Sequence, residues 1–264
     1  MSVTVICYAE RPELWQDTEA VSEAVWPEYN HHGEVLNRYW GRLLEDFPEF
    51  QFVLCDERDG VLAEGHTVPC AWDGTTEGLG DGIDAMIAGA FEARENKRRP
   101  TALGALAAEI RPQFQGRGLA DRVLDAMADL ARDAGFSHLI APVRPSFKDR
   151  YPIIPIERYV TWTRDNGEPF DPWIRVHVRR GARIVKPIPN SMRITGTVAE
   201  WEQWTGIRFP EDGQYTFPAG LAPVDIDHGR DLGSYWEPNV WIVHTLRENA
   251  TSPQLGLRTS RHRC

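Results

Sequence analysis

Glu109-Ile110-Arg111-Pro112-Gln113-Phe114-Gln115-Gly116-Arg117-Gly118-Leu119-Ala120 reads as the end of a strand, a tight glycine loop and the first turn of a helix. Upstream, Ala102 to Ile110 is a run of small apolar residues, the pattern of a buried strand. Downstream, Leu119, Val123, Met127, Leu130 and Ala134 recur at helical spacing, and Gly135 stands where a left-handed C-cap belongs. Backbone N–H groups in such a loop point inward, and the helix N-terminus adds positive potential. The segment can therefore cradle a pyrophosphate without a lysine. Gly116 and Gly118 remove Cβ atoms that would block close backbone approach. Arg117 adds a cation.

Three kinds of phosphate cradle share this outline. A Walker loop needs GxxxxGK[ST], which the sequence lacks. The dinucleotide fingerprint GxGxxG is half present, because Asp121 holds the place of its third glycine. The third is the acyl-CoA loop of the GNAT superfamily of N-acetyltransferases: Gln or Arg, two residues, Gly, one residue, then Gly or Ala. Gln115 to Ala120 resembles it at every defined position.

The order of elements around the loop also resembles that family over about residues 1–200. Ser2 to Tyr8 is a strand candidate. Helical patterns follow from Pro12 and again from Val35 to Phe47, with Pro48 as the stop. Phe50 to Cys55 and Val61 to Trp72 form a hairpin about Asp59-Gly60. A loop over Asp73 to Gly82 leads to a helix carrying Ile83, Met86, Ile87, Ala90 and Phe91. After the glycine loop and its helix come a strand over Phe136 to Val143, a short helix over Pro172 to Arg180 and Gly181. Ala182 to Val198 reads as two strands broken at Pro187 to Asn190. Beyond it stand a short helix at Glu200 to Trp204 and a strand near Val240 to Thr245.

The resemblance implies an α/β (α+β) GNAT fold. It has a central mixed, mostly antiparallel sheet with one splayed pair of strands and helices on both faces. The expected unit is a single domain over 1–246, with an insertion at 144–172 and a C-terminal extension from about 200. Residues 247–264 read as a solvated, flexible tail in which Arg247, Arg258, Arg261 and Arg263 face the single acid Glu248.

For the site, the resemblance places Ile110 against the pantetheine arm. It places Gln115, Gly116, Arg117, Gly118, Leu119 and Ala120 around the pyrophosphate of acetyl-CoA or another acyl-CoA. The reaction implied is direct attack of a small-molecule amine on the thioester. It needs a neutral amine, an oxyanion donor and an acid for the leaving thiolate. Members of the family place a Tyr four residues before the Gly that ends the short helix; here that position before Gly181 is His177. The family's aromatic after that glycine is replaced by Ala182. Glu109 is the candidate base, an acid inside an apolar run. It reads equally well as a carboxylate that faces solvent or pairs with Arg111.

The segment Lys148 to Trp162 is stiffened by prolines and decorated with aromatics, the composition of a lid or pocket wall. Tyr151, Arg158 and Tyr159 are its candidate substrate contacts, with Arg158 as a carboxylate anchor; Trp173 and His31 are placed alongside them. An ordinary surface meander has the same composition. His31-His32 with Glu34 lacks a third ligand at fixed spacing, so no metal is expected. Ser137 and Ser146 stand in no nucleophile elbow.

Composition sets the outer bounds. The chain has 264 residues, 42% hydrophobic and 26% charged, enough apolar material for a core. Its 29 Lys+Arg against 39 Asp+Glu give a formal net charge of −10, the wrong sign for a duplex binder. No run approaches the ~18 apolar residues that suggest a membrane span. Cys7, Cys55, Cys70 and Cys264 form no CxxC pair, and the N-terminus has no signal-peptide pattern. A cytoplasmic enzyme is the expectation, and a homodimer is common in folds of this type. A longer-acyl or carrier-protein donor, a thioester decarboxylase, and a non-catalytic acyl-CoA-binding module are the alternative readings.

Overall fold

A computed structural model of the chain describes residues 3–58 and 60–246. Asp59, the proposed tail 247–264 and Cys264 lie outside the described residues. Strand β1 (Thr4–Cys7) leads through a 3-10 turn at Pro12–Asp17 into α1 (Glu19–Val25). A second 3-10 turn, Glu28–His32, precedes α2 (Leu36–Trp40) and α3 (Leu43–Asp46). Strands β2 (Gln51–Cys55) and β3 (Val61–Cys70) form the hairpin, followed by α4 (Ile83–Glu95), β4 (Ala102–Ile110), α5 (Leu119–Asp133) and β5 (His138–Val143). The second half adds α6 (Ile156–Tyr159), α7 (Pro172–Arg179), β6 (Arg183–Gly196), α8 (Val198–Thr205), β7 (Gly213–Tyr215), β8 (Val224–Asp227) and β9 (Leu232–Thr245).

One sheet carries all nine strands in the order β1-β2-β3-β4-β5-β9-β8-β7, with β6 paired on β9. Among the described strands only β4 and β5 pair in parallel, through Leu103↔Leu139 and Gly104↔Ile140. Beyond Gly104 the two strands part. A bulge drives the separation: His66 pairs with Ala107 and Thr67 with Ala105, so Leu106 is an extra residue that bends β4. Pro142, which has no N–H to donate, sits where β5 retains only β9 as a partner.

Alternation along the strands sends side chains to two helical layers. Val68, Ala102, Leu106, Ile140 and Trp241 pack with Met86, Ile87 and Phe91 of α4 on one face. Phe52, Leu54, Leu103 and Leu139 pack with Val123, Leu124 and Met127 of α5 on the other. Farther along that second face, Ala141, Val143, Val240 and Ile242 meet α6 and Ile174 of α7. Among the described residues no helix is long and apolar enough to cross a membrane.

The structure differs from the sequence expectations in three places. Residues 35–47 form two short helices rather than one. Pro187 to Asn190 does not break the strand: β6 is continuous, and its register against β9 slips between Ile188 and Met192. Strand β9, inside the expected C-terminal extension, lies between β5 and β6 and belongs to the middle of the sheet.

Candidate active site

The parting of β4 and β5 opens a cavity of about 600 Å³ that reaches both faces of the sheet. Its walls in the gap are residues 105–110 of β4 and Ala141, Pro142 and Val143 of β5. On the α5/α7 face it is lined by Gln115, Ala120, Leu124, Met127, Trp173, Val176 and His177. On the opposite face it is lined by Trp26, Asn30, His31, Leu36, Asn37 and Trp40.

The α5 side fits an acyl-CoA. Gly116 and Gly118 have φ of 72° and 79°, left-handed values that favour glycine. A Cβ at either position would meet no protein atom within 4 Å, so backbone conformation, rather than crowding by the protein, requires glycine here. Gly118 is the N-cap of α5 and no side chain caps that end, which leaves the N–H groups of the first turn for an anion. Gln115 Nε2 donates to the Ile110 carbonyl at 3.1 Å and ties the loop to the end of β4. The Arg117 guanidinium lies 5.5 Å from the centre of the Phe114 ring. Leu119 is buried in the core beneath α5. The β4 edge freed from β5 gives a linear pantetheine arm backbone groups to pair with.

Across the gap, Glu109 is fully buried. Its cross-strand partner is Glu64 of β3. Burial and the neighbouring Glu64 charge push the Glu109 carboxyl up to about 8. Burial raises Glu64 to about 7, with hydrogen bonding opposing the shift. Two such carboxyls titrate as a pair and share a proton near neutrality. Tyr8 OH donates to Glu64 Oε2 at 3.3 Å, and His66 Nε2 lies 3.3 Å from the same oxygen. His66 is buried, which holds its pKa down against the pull of Glu109. Glu64, His66 and Glu109 each place one ligand atom within 4.8 Å of the others, a spacing that also suits a cation.

The same cavity is also lined by a neutralised cluster. Arg144 Nε donates to Glu237 Oε1 at 2.8 Å, and its Nη2 donates to Tyr29 OH and the Ala219 carbonyl, both at 2.9 Å. Tyr235 OH donates to Glu237 Oε2 at 3.2 Å and Asn30 Nδ2 to Oε1 at 3.2 Å. Glu237 is thus fully satisfied although buried.

Of the residues singled out in the sequence, Glu109, Ile110, Gln115, Ala120, His31, Trp173 and His177 line the one cavity. Gly116, Arg117, Gly118 and Leu119 of the glycine loop and Tyr151, Arg158 and Tyr159 of the insertion do not. Arg158 is exposed, and Tyr151 and Tyr159 pack with Trp162 and Phe170 inside the insertion. The insertion instead buttresses α7. Asp171 caps that helix through Trp173 N and Ile174 N, and its Oδ2 accepts from Tyr159 OH at 2.9 Å and Phe147 N at 2.8 Å. Buried Lys148 donates to the carbonyls of Tyr151 at 2.8 Å and Leu221 at 2.6 Å. His177 is buried, and desolvation, then His244, then Arg180, hold its pKa well below the usual value. It is a neutral imidazole, so it is not an imidazolium acid at neutral pH. The sequence reading missed Glu64, His66, Arg144 and Glu237. The signal for the first two was a Glu and a His two residues apart in an apolar strand.

No protein-family profile matches the chain. Arginine N-acetyltransferase avaD of Aspergillus versicolor is 31% identical over 273 residues, covering 90% of this chain and 92% of that protein. The loading GNATL domain of CurA from Lyngbya majuscula superposes with a TM-score of 0.63 at 18% identity, covering 93% of this chain and 98% of that one. The GphF GNAT-like decarboxylase in complex with isobutyryl-CoA gives 0.59 at 18% identity, over 94% and 100% of the two chains. At that identity the two superpositions establish the fold.

Proposed function

This chain belongs to the GNAT superfamily of N-acetyltransferases, and on that premise we propose that it acetylates the α-amine of a cationic amino acid of the arginine type. The observation that carries this reading is the buried Glu64–Glu109 cross-strand pair, of which Glu109 lines the cavity. A small acceptor arrives as an ammonium ion and must lose a proton before it attacks. A carboxyl pair raised to about 7 and about 8 is matched to take that proton near neutral pH. A guanidinium, with a pKa above about 12, is out of its reach, so the α-amine is the nitrogen assigned to react. Trp26 and Trp40 offer aromatic faces on which a guanidinium can stack. The relative's activity on arginine supports the same acceptor class.

In this reading acetyl-CoA enters from the α5 face and its acyl group lies in the gap. Glu109 accepts the ammonium proton before attack; the new C–N bond then forms as the C–S bond breaks, and the nitrogen sheds its second proton to solvent. The backbone of β4 orients the thioester, and Leu124, Met127 and Trp173 exclude water from it.

The test is thiol release from acetyl-CoA with arginine, lysine, agmatine and neutral amines, with products identified by mass spectrometry. Acceptor-dependent release and α-N-acetylarginine are expected. Release with neutral amines alone would overturn the acceptor assignment. Consumption of malonyl-CoA without any acceptor would favour decarboxylation instead.

A further inference from the structure

The α7 side of the cavity holds a buried histidine pair that the acceptor chemistry does not use. His177 Nδ1 lies 2.8 Å from Nε2 of His244 on β9, and both rings are buried. The other nitrogen of His177, Nε2, is buried and has no hydrogen-bond partner. His177 lines the cavity beside Trp173, whose ring meets it edge-on at 4.5 Å.

A 2.8 Å contact between two neutral imidazoles carries one proton. If His177 supplied it, both rings would hold their protons on Nδ1. If His244 supplies it, both hold them on Nε2, the tautomer that neutral histidine prefers intrinsically. The hydrogen bond on one nitrogen then fixes what the other presents. A buried N–H without a partner is costly, which makes the orphan Nε2 a group that awaits a ligand.

We propose that His244 is a positioning residue: its Nε2–H donates to His177 Nδ1 and so holds the His177 Nε2–H toward the thioester, as a neutral hydrogen-bond donor to the leaving sulfur. This rests on the acetyl-transfer reading above. Glu109 already holds the proton taken from the ammonium; as the C–S bond breaks, its electron pair goes to sulfur and the nitrogen sheds its second proton to solvent. The His177 N–H holds the thiolate charge without being transferred, and the thiolate takes its proton from solvent on release. Burial of both rings, with Arg180 nearby, keeps the pair uncharged and suited to this role.

Two substitutions separate positioning from packing. His244→Gln keeps an amide N–H where Nε2–H stood; His244→Leu keeps bulk alone. With acetyl-CoA and saturating acceptor, His244→Leu should lower kcat at least about tenfold. The KM for acetyl-CoA should stay within about twofold, and His244→Gln should recover most of kcat. Nitrogen-15 NMR of the histidine rings in the unmodified protein should show His177 protonated on Nε2 and bare on Nδ1. Equal kcat for folded Leu and Gln variants, or a proton on His177 Nδ1, would overturn the proposal. The NMR reading needs neither turnover nor a folded variant. Failure of the acetyl-transfer reading would show separately, as the absence of amine-dependent thiol release.

Discussion

Replacing Glu109 with Gln keeps the side-chain volume and removes the carboxyl, so activity and stability should move in opposite directions. The folded carboxyl sits at about 8 against an ordinary 4.5. The folded state therefore keeps a proton that the unfolded state loses above 4.5, and stability falls as pH rises from about 4.5 to about 8. At about 1.4 kcal/mol per pH unit, this amounts to roughly 3–5 kcal/mol once the acid is ionised. Glu64 adds to the same trend. Glu109→Gln should have lower activity by about 10²–10⁴ in kcat/KM. It should also melt higher than the unmodified protein at pH 9 and show a flatter melting profile between pH 5 and 9. For the unmodified enzyme, kcat/KM should rise with pH through about 8 as the pair loses its proton. Thermal melts across that range and thiol-release kinetics measure both arms. A Gln variant with unchanged kcat/KM would remove Glu109 as the base. Identical pH-dependence of melting would show that its carboxyl is not raised.

Gly118→Val forces a β-branched residue to φ of 79° at the start of α5. Strain of about 1–3 kcal/mol should distort the cradle and raise the KM for acetyl-CoA at least about tenfold, with a smaller effect on kcat. Arg144→Met leaves buried Glu237 without its cation. Urea unfolding should show a loss of about 3–5 kcal/mol, with partial recovery in the double variant Arg144→Met/Glu237→Gln. Gly65→Ala places a Cβ 2.2 Å from Phe52 Cζ in the β2–β3 pairing. A loss of about 1–3 kcal/mol is expected in the same assay.

The donor side of this fold was legible because its determinants are local. Residues 102–133 contain a strand, two positive-φ glycines and a helix within one continuous stretch, and each follows from periodicity or backbone preference. The acceptor side was only half legible. Glu109 stood out as an acid in an apolar run, but its partner Glu64 is fixed by the β3–β4 register, including the bulge at Leu106. Arg144 and Glu237 meet from positions 93 residues apart in the chain. Nothing local marks either residue. The insertion misled for a different reason: Tyr151, Tyr159, Trp162 and Phe170 pack on one another. Aromatic composition is the same for a pocket wall and for a self-packed buttress. His177 stands out by position, but its neutrality comes first from burial and then from His244, which arrives from a strand 67 residues later.

Calorimetric titration of the protein with acetyl-CoA examines the gap between β4 and β5 most directly. Saturable micromolar binding that weakens at least about tenfold in Gly118→Val is the expected result. Absence of any binding heat across several temperatures, or equal affinity in the two proteins, would contradict the assignment of the gap and its glycine loop to the acyl donor.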